Sequence, residues 1–436
     1  MTIRPRFPDQ DYIFLVKSPH RPGSLGFLLS VLGAEGALVG DIKTLFIGKE
    51  SSFREITVSV FDNEHLEKIK RALLERTKVE IVEIRDIVFE RHKGGKIRTS
   101  RVKNLDKPED LRYIYTPGVA RVCKKIQEEP ESALIYTNIS NSVGIFTNGT
   151  RVLGLGDIGP RAAMPVMEGK SVLYDQFVGI SATPILINTK DPKEFVDIVE
   201  KIAPTFGGIH LEDIRTPDCF FIESELIRRL GQPVMHDDQH GTATVLLAAV
   251  ISALRSTGQE ENSRLIFGQL GLGAAGFGIA KLLIDYGFSV IGFDPSEDAR
   301  QRLIEYGGKE GTIDSIMDQA NVIIATTGVV GLITKSMVKK GQIILSLSNP
   351  VPEILPDDAL DAGAAYAADG QSVNNALAFP GLFKAALSVK AKEISSQMKI
   401  AAAQAIADLA RPGELVPSIF HSKVHDKVIE KVMGLF

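Results

Sequence analysis

The chain has 436 residues, 44% hydrophobic and 24% charged, with a formal net charge of −4. That length exceeds what one hydrophobic core supports, so two or three domains are expected, and the ordinary composition excludes a disordered or fibrous chain. Fifty basic residues against 54 acidic ones supply no broad positive field for nucleic acid or an anionic membrane, which favours small-molecule partners. Met1 to Gln10 lacks the apolar core of a signal peptide and no later run can span a bilayer, so the cytoplasm is the expected compartment. Cys123 and Cys219 are too few for a disulfide framework and read as buried or half-buried thiols.

Residues 11–17 read as a strand, 24–32 as a helix, 38–47 and 53–61 as strands, 64–75 as a helix and 79–89 as a last strand. This is β-α-β-β-α-β, the ferredoxin-like order, and it defines a first domain over 1–92. The turn His20-Arg-Pro-Gly-Ser-Leu25 and the opening of the second strand, Gly36-Ala-Leu-Val-Gly-Asp41, resemble the ACT regulatory domain. That resemblance implies a small effector, commonly an amino acid, held by these loops at an interface between copies. Arg91-His-Lys-Gly-Gly-Lys-Ile-Arg98 is basic and broken by glycine, which marks a linker over 93–104. No aromatic residue is interleaved for base stacking, so a nucleic-acid patch is disfavoured.

Residues 105–245 mix helices and strands as an α/β substrate and metal domain. Residues 246–385 follow a regular βαβ pattern, a Rossmann-type doubly wound domain, and 386–436 read as helices packing back on the core. The sequence G-x-G-x-x-G occurs twice, and context separates the copies. Gly271-Leu-Gly273-Ala274-Ala275-Gly276 follows the strand Leu265–Leu270, opens a helix running to Tyr286, and precedes a strand, Ser289–Asp294, with an acidic end. Asp294 can accept hydrogen bonds from a ribose diol and would repel a 2′-phosphate, so NAD is expected rather than NADP. Gly154-Leu-Gly156-Asp-Ile-Gly159 runs into Pro160-Arg161 without such a strand and reads as a turn of the substrate domain.

Two acidic pairs, Glu212-Asp213 and Asp237-Asp238, precede the dinucleotide fingerprint. Carboxylates at strand ends and helix starts can converge on one cation, and three such oxygens suit Mg²⁺ or Mn²⁺. The bland alternative for Asp237 or Asp238 is a helix N-cap ahead of an apolar helix, Ala243–Leu254. His236 and His240 are four apart, but no glutamate follows the first and a glycine follows the second, so the zinc-protease pattern is absent.

Tyr115-Thr-Pro-Gly-Val-Ala120, Arg151-Val-Leu-Gly-Leu-Gly-Asp157, Glu168-Gly-Lys-Ser-Val-Leu-Tyr174, Leu211-Glu-Asp213, His236-Asp-Asp-Gln-His-Gly-Thr-Ala243, Ser348-Asn-Pro350 and Asn374-Asn-Ala-Leu-Ala-Phe-Pro-Gly381 together resemble malic enzyme, in its short bacterial form, over residues 105 to 390. The resemblance implies metal-dependent oxidation of L-malate to pyruvate and CO2 with reduction of NAD. It makes Glu212, Asp213 and Asp238 the metal ligands, Lys170 the general base and Tyr115 the general acid. Arg151 becomes a clamp on a malate carboxylate, Asn349 and Asn375 substrate or nicotinamide contacts, Thr327 a further cofactor contact, and Asp237 a hydrogen-bond partner near the base. The chemistry is coherent. A cation chelated by the malate hydroxyl and its neighbouring carboxylate lowers the hydroxyl pKa and stabilises the enolate, while desolvation and like charge favour a neutral, basic Lys170. A homodimer or higher homo-oligomer is expected. The competing readings are a metal-free two-domain dehydrogenase, a malolactic-type enzyme and a non-enzymatic metabolite sensor.

Overall fold

The computed structural model describes residue 8 and residues 10–152, 154–259, 264–348, 351–370 and 373–436. It divides into two compact units, Met1–Arg98 and Thr99–Phe436. Among the described residues no helix is long and apolar enough to cross a membrane.

The first unit is built on a four-stranded antiparallel sheet. Its strands β1 (Gln10–Pro19), β2 (Leu38–Ile47), β3 (Ser51–Val60) and β4 (Glu80–Asp86) lie in the order β2-β3-β1-β4. Alternation along β1 turns Tyr12, Phe14, Val16 and Ser18 inward, because successive side chains of a strand face opposite sides. Their apolar members pack with Leu28 and Leu32 of helix Ser24–Ala34 and Ile69 and Leu73 of helix Asn63–Arg76. Asp62 caps the latter helix by accepting from His65 N. The last strand was expected to reach Phe89 but ends at Asp86. There the Asp86 side chain accepts from Val88 N and Phe89 N and starts a short helix, Ile87–His92, which takes up the first two residues of the stretch read as linker. Gly40 and Asp41, at the opening of the expected second strand, lie inside β2, all of whose residues are exposed.

The second unit contains two parallel sheets. Strands β5 (Ser142–Thr147), β6 (Ser181–Leu186), β7 (Gly208–Leu211) and β8 (Val234–His236) form the first, in the order β6-β5-β7-β8. Strands β9 (Ile266–Leu270), β10 (Ser289–Phe293), β11 (Lys309–Glu310), β12 (Val322–Ala325), β13 (Ile343–Ser346) and β14 (Tyr366–Asp369) form the second, in the order β11-β10-β9-β12-β13-β14. Every ladder in the second sheet is parallel, and its short apolar strands are covered by helices, as a doubly wound sheet requires.

A 21-residue helix, Asp237–Thr257, joins the two sheets and is buried along almost its whole length. Apolar on all sides from Ala243 to Leu254, it can lie only inside a core. It begins six residues before the expected Ala243, so the acidic pair Asp237-Asp238 forms its first turn. It also runs unbroken through the boundary expected between residues 245 and 246. It packs against helix Ala274–Tyr286, which carries the dinucleotide turn, and against the alanine-rich helix Ser396–Ala407. A Cβ on Gly278 would stand 2.6 Å from Gln239 O, so the crossing of the first two helices demands glycine at that position. The final helices, Ser396–Ala407 and Val424–Met433, do pack back on this core.

Candidate active site

Strands β7 and β8 end side by side, and each delivers an acidic pair from its carboxyl end. Glu212 and Asp213 follow β7, with Glu212 N bonded to Phe146 O at 3.0 Å. Asp213 takes a left-handed backbone (φ 55), and its N–H donates to Asp238 Oδ2 at 3.0 Å. Asp237 and Asp238 follow β8 at the N-terminus of the central helix, where unsatisfied N–H groups favour carboxylates. One carboxylate oxygen from each of Glu212, Asp213 and Asp238 lies within 4.8 Å of the others.

Lys170 comes from helix Pro160–Val178 and is only 8% exposed. Its Nζ lies 2.5 Å from Asp237 Oδ2, 3.2 Å from Glu212 Oε1 and 4.6 Å from the centroid of the Phe379 ring. Asp237 Oδ1 is buried without a hydrogen-bond partner, as is Asp213 Oδ2. A Cβ at residue 241 would approach Asp237 Oδ1 to 1.8 Å and Asn375 Cβ to 3.2 Å, so the glycine after His240 is what leaves room for the Asp237 carboxylate.

Burial opposes charge throughout this cluster. Desolvation, with Lys170 acting against it, leaves the Glu212 carboxyl at about 7. Desolvation and the neighbouring Glu212 and Asp238 push Asp213 up to about 8, and desolvation also raises Asp237. Burial works against the Asp238 carboxylate too, but His236 holds its pKa below the ordinary value. A neutral Lys170 is the expectation beside a metal ion, and the balance without one is different. Desolvation does push the Lys170 pKa down, but Asp237, Glu212 and Asp238 outweigh it and raise the pKa, so in the absence of a cation Lys170 is held charged.

Several participants escaped the sequence reading. Tyr174 OH lies 2.9 Å from His210 Nδ1, and His210 Nε2 lies 2.6 Å from Glu212 Oε2. Burial drives the His210 pKa down to about 3. Glu223 accepts from His236 N at 2.7 Å, Gln239 Nε2 at 3.2 Å and His240 Nε2 at 2.9 Å, which turns His240 away from the acidic cluster. The period of two that places His210 and Glu212 on one side of β7 was the available signal for the first pair. The Glu223 contacts join residues 13 to 17 apart and left none. Cys219 is buried, but Cys123 is exposed, contrary to expectation.

The dinucleotide turn is equally constrained. Gly271 has φ 87, and a Cβ on Gly276 would stand 2.0 Å from Gly271 O. Gly273, Ala274 and Ala275 open the helix, with Gly273 at its N-cap. Asp294 Oδ2 accepts from Leu272 N at 2.8 Å and its Oδ1 from Ser296 N at 2.9 Å, so this carboxylate ties the two loops together. Arg300, which the sequence argument passed over, donates to Asp294 O and Pro295 O and pairs with Glu310. Thr327 donates through both N and Oγ1 to buried Glu353. Asn349 lies outside the described residues. In the other glycine motif, Gly154, Gly156 and Gly159 all have positive φ and form a turn before helix Pro160–Val178.

Two expected residues stand apart from the buried cluster. Arg151 is exposed, although its N–H donates to Asp213 O at 3.1 Å. Tyr115 caps helix Pro108–Ile114 and is 63% exposed, amid Leu111, Tyr113 and Ile114, which are exposed too.

A parallel sheet with a glycine turn beside a buried lysine and carboxylates defines an α/β oxidoreductase of the dinucleotide-binding class. Residues 94–227 match the family described as malic enzyme, N-terminal domain. The chain is 48% identical to NAD-dependent malic enzyme 1 of Bacillus subtilis, covering 96% of each chain, and 39% identical to NAD-dependent malic enzyme of Geobacillus stearothermophilus, covering 94% of this chain and 91% of that one. The crystal structure of malic enzyme from Pyrococcus horikoshii superposes with a TM-score of 0.75 at 37% identity, covering 80% of this chain and 89% of that one. The chain belongs to the malic enzyme family.

The raised pKa values of Glu212 and Asp213 predict that protons compete with any divalent cation offered to these carboxylates. Mn²⁺ affinity should weaken as pH falls from 8 towards 6, by up to about tenfold per pH unit for each proton displaced. The sign for folding is the reverse. A buried acid with a raised pKa opposes folding once ionised, so the metal-free protein should lose stability as pH rises from about 4, the unfolded carboxyl range, towards the raised values of about 7 and 8, level off above them, and regain stability with Mn²⁺. Calorimetric titration and thermal midpoints across this range check both, and a flat affinity profile would exclude these ligands.

Proposed function

We propose that this chain oxidatively decarboxylates L-malate to pyruvate and CO2 with reduction of NAD, on a site where Glu212, Asp213 and Asp238 hold one Mg²⁺ or Mn²⁺. The observation that carries the reading is the convergence of these three carboxylates next to buried Lys170. The unpartnered, buried Asp213 Oδ2 fits a hard cation, and the NAD dependence named for the Bacillus and Geobacillus relatives supports the choice of cofactor. Bound there, the cation supplies Lewis acidity to the substrate oxygens, and the dinucleotide at Gly271–Gly276 and Asp294 supplies the hydride acceptor.

The protein residues move the protons. Lys170 Nζ and Asp237 Oδ2 share one, and passage of that proton to Asp237 leaves a neutral amine to take the proton of the malate hydroxyl. Phe379 over the ammonium and the closed packing around Asp237 exclude water from this exchange. Tyr115 delivers a proton to the enol carbon, Arg151 grips a substrate carboxylate, and Asn375, with Asn349, orients the substrate and nicotinamide beside Thr327. Lys170→Ala should lower kcat about 10²- to 10⁴-fold in a variant that still folds, with a thermal midpoint lowered by the loss of the buried partner of Asp237 and Glu212. EDTA should abolish, and Mn²⁺ restore, NADH formation followed at 340 nm. Activity indifferent to chelation would point to a metal-free dehydrogenase, and lactate formed without net NADH to a malolactic reaction.

The exposure of Tyr115 within an apolar surface supports a homodimer in which this hydroxyl enters the cleft of the second copy. Mixing inactive Lys170→Ala and Tyr115→Phe subunits would then regenerate one intact site per mixed dimer and restore turnover. Mixtures as inactive as their parents would place both groups in one subunit's site.

The first unit is proposed to be an ACT-like effector module. Its support is a cleft of about 720 Å³ whose lining includes Arg21, Lys49, Arg76 and Lys78 against one acid, Glu50, with apolar Phe27 beside them, a net basic lining suited to the carboxylate of an amino acid or another small anion. Gly40 and Asp41 do not line it. Kinetics of the full chain with single amino acids, citrate or inorganic phosphate should show a response that the Arg21→Ala Lys78→Ala double variant lacks. Kinetics unaltered by all of these compounds would remove the regulatory role.

A further inference from the structure

Glu212 and Asp238 each meet a buried histidine whose far nitrogen faces a second buried group, and the two arrangements have the same logic. At Glu212, His210 Nε2 lies 2.6 Å from Oε2 while Tyr174 OH lies 2.9 Å from Nδ1. At Asp238, His236 Nε2 lies 3.3 Å from Oδ2, an ion-pair distance without hydrogen-bond geometry, while Gln239 Nε2 lies 3.0 Å from Nδ1. The orientation of that amide is fixed by Glu223. Its carboxylate accepts from Gln239 Nε2, so the end of the amide facing both Glu223 and His236 is the donor. A donor against Nδ1 keeps that nitrogen unprotonated and places the imidazole proton on Nε2. The same holds at His210, because an ionised Glu212 can only accept and Tyr174 OH is then free to donate.

We infer that Tyr174 acting through His210, and Glu223 and Gln239 acting through His236, are positioning groups that lock both imidazoles as Nε2–H tautomers, so that His210 holds Glu212 Oε2, His236 faces Asp238 Oδ2, and each carboxylate keeps its other oxygen for a divalent cation. At Asp238 the Oδ2 atom accepts the backbone N–H of Asp213 and has His236 Nε2 at 3.3 Å, which leaves Oδ1 for a cation. At Glu212 the oxygen not held by His210 is Oε1, which pairs with Lys170 Nζ at 3.2 Å and would be shared between that ammonium and a cation. Both histidines thus orient ligands and neither serves as one, although His210 lies within 4.8 Å of carboxylate oxygens of Glu212 and Asp237. Hydrogen bonds of this kind to ligating groups change metal affinity by about 10- to 100-fold.

The inference rests on the reading that Glu212, Asp213 and Asp238 hold the cation, and the test separates the two. Free Mn²⁺ is counted by electron paramagnetic resonance in titrations of the full-length protein, without substrate. Tyr174→Phe and His236→Leu should each weaken Mn²⁺ binding about 10- to 100-fold, and His236→Gln, which can place an amide N–H near the Nε2 position, should recover part of the loss. Thermal midpoints of the metal-free variants control for folding. Independently, long-range proton–nitrogen spectra of the ¹⁵N-histidine-labelled, metal-free protein, recorded above the Glu212 pKa, should show His210 and His236 as Nε2–H tautomers. Either histidine found as the Nδ1–H tautomer, or variants binding Mn²⁺ as tightly as the parent, overturns the inference while leaving the cation site standing. A parent protein that binds no Mn²⁺ overturns the site itself, and the inference with it.

Discussion

Like-charge repulsion in a desolvated space is the constraint around which the second unit is organised. Glu212, Asp213, Asp237 and Asp238 are gathered where water cannot screen them, and one lysine cannot neutralise four carboxylates. The fold meets the excess with fixed dipoles, namely the N–H groups at the start of a long helix, the backbone N–H of Asp213 and the two buried imidazoles. What these leave uncompensated appears as the raised carboxyl pKa values and the unpartnered oxygens of Asp213 and Asp237. A divalent cation is the group that such a distribution of charge favours.

The central helix converts this local problem into an architecture. Its first turn holds two of the four acids, and its body is apolar on every side. It therefore has to run through the protein interior, with both parallel sheets and the C-terminal helices around it. The dinucleotide turn is positioned by the same element, because helix Ala274–Tyr286 crosses it at close range. Hydride transfer requires two reactants at a defined separation, and a shared buried helix is a rigid means of fixing one.

Much of this was legible in the sequence. The β-α-β-β-α-β order, the dinucleotide turn and the acidic pairs each follow from local signals such as periodicity, glycine spacing and the residues at strand ends. The misses have physical causes. The strand expected to reach Phe89 stopped at Asp86 because a short side-chain cap outcompeted continued pairing. The start of the central helix was misplaced because its first turn is polar, and Glu223, distant in sequence, supplies the stabilising contact at His236. The charge balance at Lys170 was only partly legible, because desolvation is readable from an apolar neighbourhood, whereas the count of opposing carboxylates depends on three-dimensional convergence. His210, Tyr174 and Gln239 were invisible as a set for the same reason.

The missing side chain at residue 278 has a mechanical consequence. With the backbone of one helix seated directly on the carbonyl of Gln239, the acidic turn and the cofactor-bearing helix behave as one stiff beam. Any breathing of the cleft that admits malate or releases pyruvate must then hinge in the strand-to-helix loops around it, since bending at the crossing would pull the two backbones out of contact.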